Sequence, residues 1–147
     1  MTAVAPPAPV VVIDTNIVLD LLLFGDASTA DLQAALQSGR CTWLATTAMR
    51  EELVRVLAYP ALAAPMAVRE RNADAVLAGF DQASTVCPVP PACPVRCSDP
   101  DDQGFIDLAA AHRAMLLSKD KAVLRLRRRL ALLAVAVQAE FRSSRPA

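Results

Sequence analysis

Acidic side chains in this protein stand at the ends of its apolar runs. In "PVVVIDTNIVLDLLL" an almost uninterrupted hydrophobic stretch from Pro9 to Leu23 sets Asp14, Thr15 and Asn16 side by side behind five apolar residues. An unpaired carboxylate is costly to bury, so a chain that ends its most hydrophobic run on one has a use for the charge. Further acids fall in comparable places: Glu51 and Glu52 in "EELVRVLAYP", Asp99, Asp101, Asp102 and Asp107 in "SDPDDQGFID", and Asp120 behind "AMLLSK". Each has an ordinary local explanation. Asp14 and Asp120 could cap the helices that follow, Ser98 or Asp99 with Pro100 makes a helix start, and Glu51 and Glu52 could face water. Capping, however, does not require acids at the same end of several separate strands. Two carboxylates about 4 Å apart repel by roughly 4 kcal/mol at an effective dielectric near 20, so three or four cannot converge unpaired. A divalent cation removes that penalty. Oxygen ligands with no histidine or thiolate among them suit magnesium or manganese rather than zinc.

The acids can meet only if the elements carrying them end on one side of the fold. Pro9 to Ile13 reads as a strand covered on both faces of a parallel sheet, because its β-branched run is continuous rather than alternating. Thr15 to Phe24 reads as a helix, and Ser28 to Ser38 as a second one closed by Gly39. "CTWLAT" is a strand, "TAMREELVRVLAYP" a helix ending at Pro60, Met66 to Phe80 another helix, and "STVCPV" a short strand. Asp101 to Arg113 reads as a helix, Ala114 to Leu117 as a strand, Lys119 to Leu130 as a helix and Leu132 to Val137 as a final strand. Alternation of this kind defines an α/β fold with a mainly parallel sheet and right-handed crossovers. Sites in such folds lie beyond the carboxyl ends of the strands, where the acids fall.

The bulk properties set limits. A chain of 147 residues forms one domain with a substantial core, expected over 9–142, with 1–8 as a flexible lead and 143–147 as a tail. Fifteen basic and fifteen acidic side chains cancel, so any preference for nucleic acid must be local. No apolar run reaches the roughly 18 residues that cross a bilayer. "MTAVAPPAPV" has no positive n-region, so no membrane association and a cytoplasmic location are expected. Cys41, Cys87, Cys93 and Cys97 accordingly read as reduced thiols, the last three on a proline-stiffened surface loop without the close pairs of a zinc site. Glycine-rich nucleotide loops are absent, and the lone His112 reads as an ordinary helix residue rather than a member of a triad. An aspartate-nucleophile phosphatase would need another acid where Asn16 stands.

"VVIDTNIVLDLLL", "EELVRVLAYP", "SDPDDQGFIDLAAA" and "LLSKDKAVLRL", in that order, resemble the PIN-domain nucleases, in particular the toxin components of bacterial toxin–antitoxin systems. "AVAVQAEF" resembles the last strand of that branch, so the similarity covers nearly the whole chain. The resemblance implies a three-layer α/β/α sandwich around a mainly parallel sheet of four or five strands. It implies magnesium- or manganese-dependent hydrolysis of RNA by an endoribonuclease, with an antitoxin partner and a homodimer. Residue by residue, it carries the metal-binding acids onto Asp14, Glu52, Asp102 and Asp120, with Thr15, Asn16 and Ser118 in support. Thr15 or Ser118 could orient water or phosphate, and Asn16 could hold the strand-to-helix turn. Three positions depart from the family pattern: Ser118 replaces a usual threonine, Lys119 a glycine or asparagine, and Ala122 a second aspartate. Lys119 could partly neutralise the site, which leaves a PIN-like RNA-binding or protein-interaction module of weakened activity as the alternative. Arg50 and Arg55 beside the glutamate, and Arg125, Arg127, Arg128 and Arg129 after Asp120, could hold RNA phosphates. With one Trp, one Tyr and four Phe, platforms for stacking bases are scarce.

Overall fold

A computed structural model describes residues 8–142; the expected tail and all of the expected lead except Ala8 lie outside the described residues. Five strands, β1 (Val10–Ile13), β2 (Thr42–Ala45), β3 (Ser84–Val86), β4 (Met115–Leu117) and β5 (Val137–Gln138), form one sheet in the order β3-β2-β1-β4-β5. Every pairing is parallel. Val11, Val12 and Ile13 are all buried although neighbouring strand residues point to opposite faces, so both faces of β1 are covered. The continuous apolar run is the two-sided strand it implied, and the fold is the α/β sandwich that the family resemblance implied.

The connecting helices are α1 (Thr15–Leu19), α2 (Ala30–Gln37), α3 (Thr47–Leu57), α4 (Ala63–Val68), α5 (Ala73–Ala83), α6 (Pro100–His112), α7 (Lys121–Leu124) and α8 (Arg127–Ala131). Helix α6 packs across β1 and β4, α3 packs against α1 and α5, and α7 and α8 pack against β5. Trp43 of β2 meets Phe80 of α5 edge-to-face, with ring centroids 5.0 Å apart, which joins the sheet to that helix layer.

Three stretches differ from the expected elements. Met66 to Phe80 is not one helix: α4 stops at Arg69, Glu70 takes a left-handed φ of 51°, and Asn72 caps α5 by accepting the Ala75 N–H at 2.8 Å. An asparagine able to hold the next helix start outweighs the alanine-rich propensity around it. Lys119 to Leu130 is likewise split into α7 and α8, with Arg125 and Leu126 between them. Leu132 to Ala136 does not extend the last strand; Ala134 adopts φ 63° and β5 is confined to Val137–Gln138. The first helix holds its expected span, but its second half, Asp20–Phe24, widens into a π-helical turn closed by Gly25 at φ 58°.

The proline-rich loop also differs from a simple surface crossing. Cys93 and Val95 are buried, and α6 pins the backbone beside them. Asp107 Oδ1 accepts the Cys93 N–H at 2.9 Å, Gln103 Nε2 donates to Val95 O at 3.0 Å, and Gln103 Oε1 accepts the Cys97 N–H at 2.6 Å. The buried Gln103 amide thus fixes the approach of the chain to Asp99. All four cysteines are free thiols, as the sequence suggested.

Candidate metal centre

Strand order reverses direction at β1: connections from β1 run outward through β2 to β3, then return to β4 and β5 on its other side. A crevice opens at such a switch point, outside the carboxyl ends of the two central strands. Asp14 follows β1 there, and its N–H donates to Leu117 O at 2.9 Å, continuing the ladder to β4. Asp14 Oδ1 accepts the Asn16 N–H at 3.4 Å and caps α1, while Oδ2 accepts the Ser118 hydroxyl at 2.7 Å. Ser118 is fully buried, and its Oγ in turn accepts the Asp120 N–H at 3.1 Å. One hydroxyl therefore holds together the acids that follow β1 and β4.

The remaining acids arrive on helices. Thr46 starts α3 by accepting the Met49 N–H at 3.3 Å, and Glu52, one turn on, accepts the Thr15 hydroxyl at 2.9 Å. Asp99 caps α6 through the Asp101 N–H at 3.0 Å, with Pro100 at the first helical position. Asp120 caps α7 through the Ala122 N–H at 2.8 Å. Capping and convergence are thus compatible: each cap ties down one carboxylate oxygen and fixes the rotamer of the other.

All four acids expected from the sequence, Asp14, Glu52, Asp102 and Asp120, line one cleft of about 350 Å³, together with Asp99 and Asp101. The tightest group is Asp99, Asp102 and Asp120, whose ligand oxygens lie within 4.8 Å of one another. Asp99 is among the acids grouped near the strand ends in the sequence, but the four metal-binding positions implied by the family resemblance do not include it. The i, i+3 spacing of Asp99 and Asp102 across the first turn of α6 was the signal that could have found it. Thr15 holds Glu52 rather than facing open solvent, Ser118 holds Asp14, and the exposed Asn16 supports the turn with its backbone N–H.

Asp102 is buried, and its Oδ2 has no hydrogen-bond partner. Burial first, and then the charges of Asp14, Asp120 and Asp99, push its pKa from 3.8 to about 7. Burial also raises Asp14, against the lowering effect of the Ser118 hydrogen bond, and raises Glu52, against that of Thr15. An orphaned buried carboxylate oxygen among all-oxygen donors fits a hard divalent cation.

The sign of the resulting pH dependence is fixed. Between pH about 4 and 7 the folded protein keeps a proton on Asp102 that the unfolded chain has lost, so rising pH favours unfolding. Thermal melts of the metal-free protein are expected to fall steadily across that window, with Asp14 and Glu52 contributing in the same direction. A melting temperature that is flat or rises there would contradict the described cluster.

The neighbouring cations are unevenly placed. Lys119 directs its ammonium to Asp20 on the π-helical turn, and among the described residues no lysine or arginine lines the cleft. Arg50 is held by Asp81 through two bonds of 2.7 and 2.9 Å. Arg55 is exposed on α3 and lowers the pKa of Glu52. Arg125, Arg127, Arg128 and Arg129 are exposed and form no ion pair among the described residues.

A parallel α/β sandwich gathers carboxylates at its switch point, and three of them lie close enough together to share a cation. This chain belongs to the PIN-domain family: the family model described as PIN domain matches residues 10–122, a span that contains every acid of the cleft. PIN domains are generally nucleases and typically use divalent metals. No curated protein matches the chain. Among the described residues, no helix is long and apolar enough to cross a membrane.

Proposed function

We propose that this PIN domain is a magnesium- or manganese-dependent endoribonuclease and the toxin of a toxin–antitoxin pair. The observation that carries the nuclease reading is the buried, unpartnered Asp102 Oδ2 at the centre of a cleft lined by five further carboxylates, Asp14, Glu52, Asp99, Asp101 and Asp120. Asp102, Asp120 and Asp14 would hold the ion, with Glu52 beside them and Asp99 as an added ligand. A divalent cation bound there supplies Lewis acidity toward a phosphodiester and lowers the pKa of a coordinated water.

The protein's own groups do the positioning. Ser118 keeps Asp14 and the Asp120 backbone in register, and Thr15 keeps Glu52 turned toward the cleft. Arg55 beside Glu52, with Arg125 and Arg128 beyond α7, would supply phosphate contacts; Arg50 contributes less because Asp81 occupies its guanidinium. Lys119 leaves the cleft charge intact by pairing with Asp20, which supports turnover over a binding-only module.

Single-stranded RNA incubated with magnesium or manganese should yield 5′-phosphate and 3′-hydroxyl ends. Cleavage should stop in EDTA and in Asp14→Asn. RNA that survives in every lane would favour the binding module instead. Ser118→Ala should lower kcat by about 10- to 100-fold with KM little changed, because it loosens two acids without removing one. The toxin role predicts growth arrest on expression, relieved by a small protein encoded next to this chain. The homodimer is tested by sedimentation.

A further inference from the structure

Carboxylates make only part of the cleft lining. Besides Thr15 and Asn16, Leu19, Val56, Tyr59, Ala61 and Leu62 line it, so an apolar wall with one aromatic ring borders the acids. Tyr59 is the single tyrosine of the chain and is 56% exposed. Trp43, Phe80, Phe105 and Phe141 are buried, and Phe24 lies half-buried beneath Arg69. Tyr59 is therefore the one exposed aromatic ring among the described residues, and it stands at the acidic cleft.

The backbone holds it there. Beyond the end of α3, the Tyr59 N–H donates to Val56 O at 3.0 Å and Tyr59 O accepts the Leu62 N–H at 3.0 Å, with Pro60 opening the short turn Pro60–Leu62. The main chain is fixed on both sides while the side chain carries no packing duty in the core. An exposed aromatic ring on a fixed backbone, beside acids that would hold phosphate through a bound cation, matches the two halves of a nucleotide.

We propose that Tyr59 is a stacking platform for an unpaired base of single-stranded RNA next to the phosphate held at the acidic cluster. The inference rests on the nuclease reading of the cleft and adds a base-contacting residue to it. A duplex buries base faces within its own stack, so it offers this ring only a backbone or an edge. A single strand offers faces, and stacking tolerates any base because each has a π-face. A cleft of about 350 Å³ is near the lower end of small-molecule sites, suited to one nucleotide rather than a helix. An acidic protein segment would meet six carboxylates there, which disfavours that occupant.

Two measurements test it. In steady-state cleavage of short oligouridine, Tyr59→Ala should raise KM roughly 5- to 100-fold with kcat much less affected, and Tyr59→Phe should restore it because stacking uses the ring and not the hydroxyl. Independently of turnover, Tyr59→Trp with the acidic cluster intact, mixed rapidly with oligouridine in magnesium, should lose tryptophan fluorescence within the mixing time, before products accumulate. It should not do so on adding an abasic strand of the same length or the paired duplex, and Trp43, at 1% exposure, is shielded from the probe. Quenching without any wild-type cleavage would support the platform while sinking the nuclease reading. Equal quenching by the abasic strand, no quenching by oligouridine, or an unchanged KM in Tyr59→Ala would overturn the platform itself.

Discussion

Asp102→Asn is expected to abolish RNA cleavage while making the metal-free protein more stable. The two effects have opposite signs for one physical reason. Asp102 is buried, has an oxygen without a partner, and is crowded by Asp14, Asp120 and Asp99. Charge at that position costs the fold free energy, a cost that a bound cation would offset. Removing one ligand oxygen should lower kcat by about three orders of magnitude or more, which corresponds to about 4 kcal/mol of barrier. Removing the charge should relieve the repulsion, and the melting temperature of the metal-free protein at pH 8 should rise by roughly 5 °C. Melts of both proteins in EDTA, beside a gel-based cleavage assay, check the pair of outcomes. A purely structural aspartate would instead give loss of activity together with loss of stability.

Chelation is expected to have the second large effect. EDTA should reduce cleavage to background, and magnesium or manganese should restore it. The same ions should stabilise the protein without any RNA present. An ion at about 100 times its dissociation constant adds about 2.7 kcal/mol. The added stability should be greatest above pH 7, where Asp102 is ionised, and small at pH 5, where protons already neutralise it. Melting curves with and without magnesium at the two pH values separate this from a general salt effect, which would be alike at both.

The residues that gave most from sequence were those in which one local signal had one structural meaning. The β-branched run ending at Asp14 could only be a two-sided strand, and it stands at the centre of the sheet. Asp14, Glu52, Asp102 and Asp120 line a common cleft because four strand-to-helix connections deliver them to one end. Legibility failed where two signals competed. Asn72 breaks an alanine-rich stretch that propensity alone would continue, and its capping bond explains why. Asp99 carried a sufficient local explanation as a cap, which hid its membership of the tightest acidic trio. Lys119 could be placed beside the site by sequence, but only the position of Asp20 on a π-helical turn determines which way its ammonium points. Tyr59 gave no sequence signal at all, since a lone aromatic near a proline does not say whether it faces the core or a cleft.

Binding of manganese to the resting protein, followed by the loss of the free-ion electron paramagnetic resonance signal at pH 7.5, tests the convergence of these acids without any assumption about RNA. Wild-type protein should bind the ion at a saturable site, and Asp102→Asn should lose that binding while Glu51→Gln, whose side chain does not line the cleft, should keep it. Equal binding by wild type and Asp102→Asn, or none by either, would contradict a cation site built from Asp14, Asp99, Asp102 and Asp120.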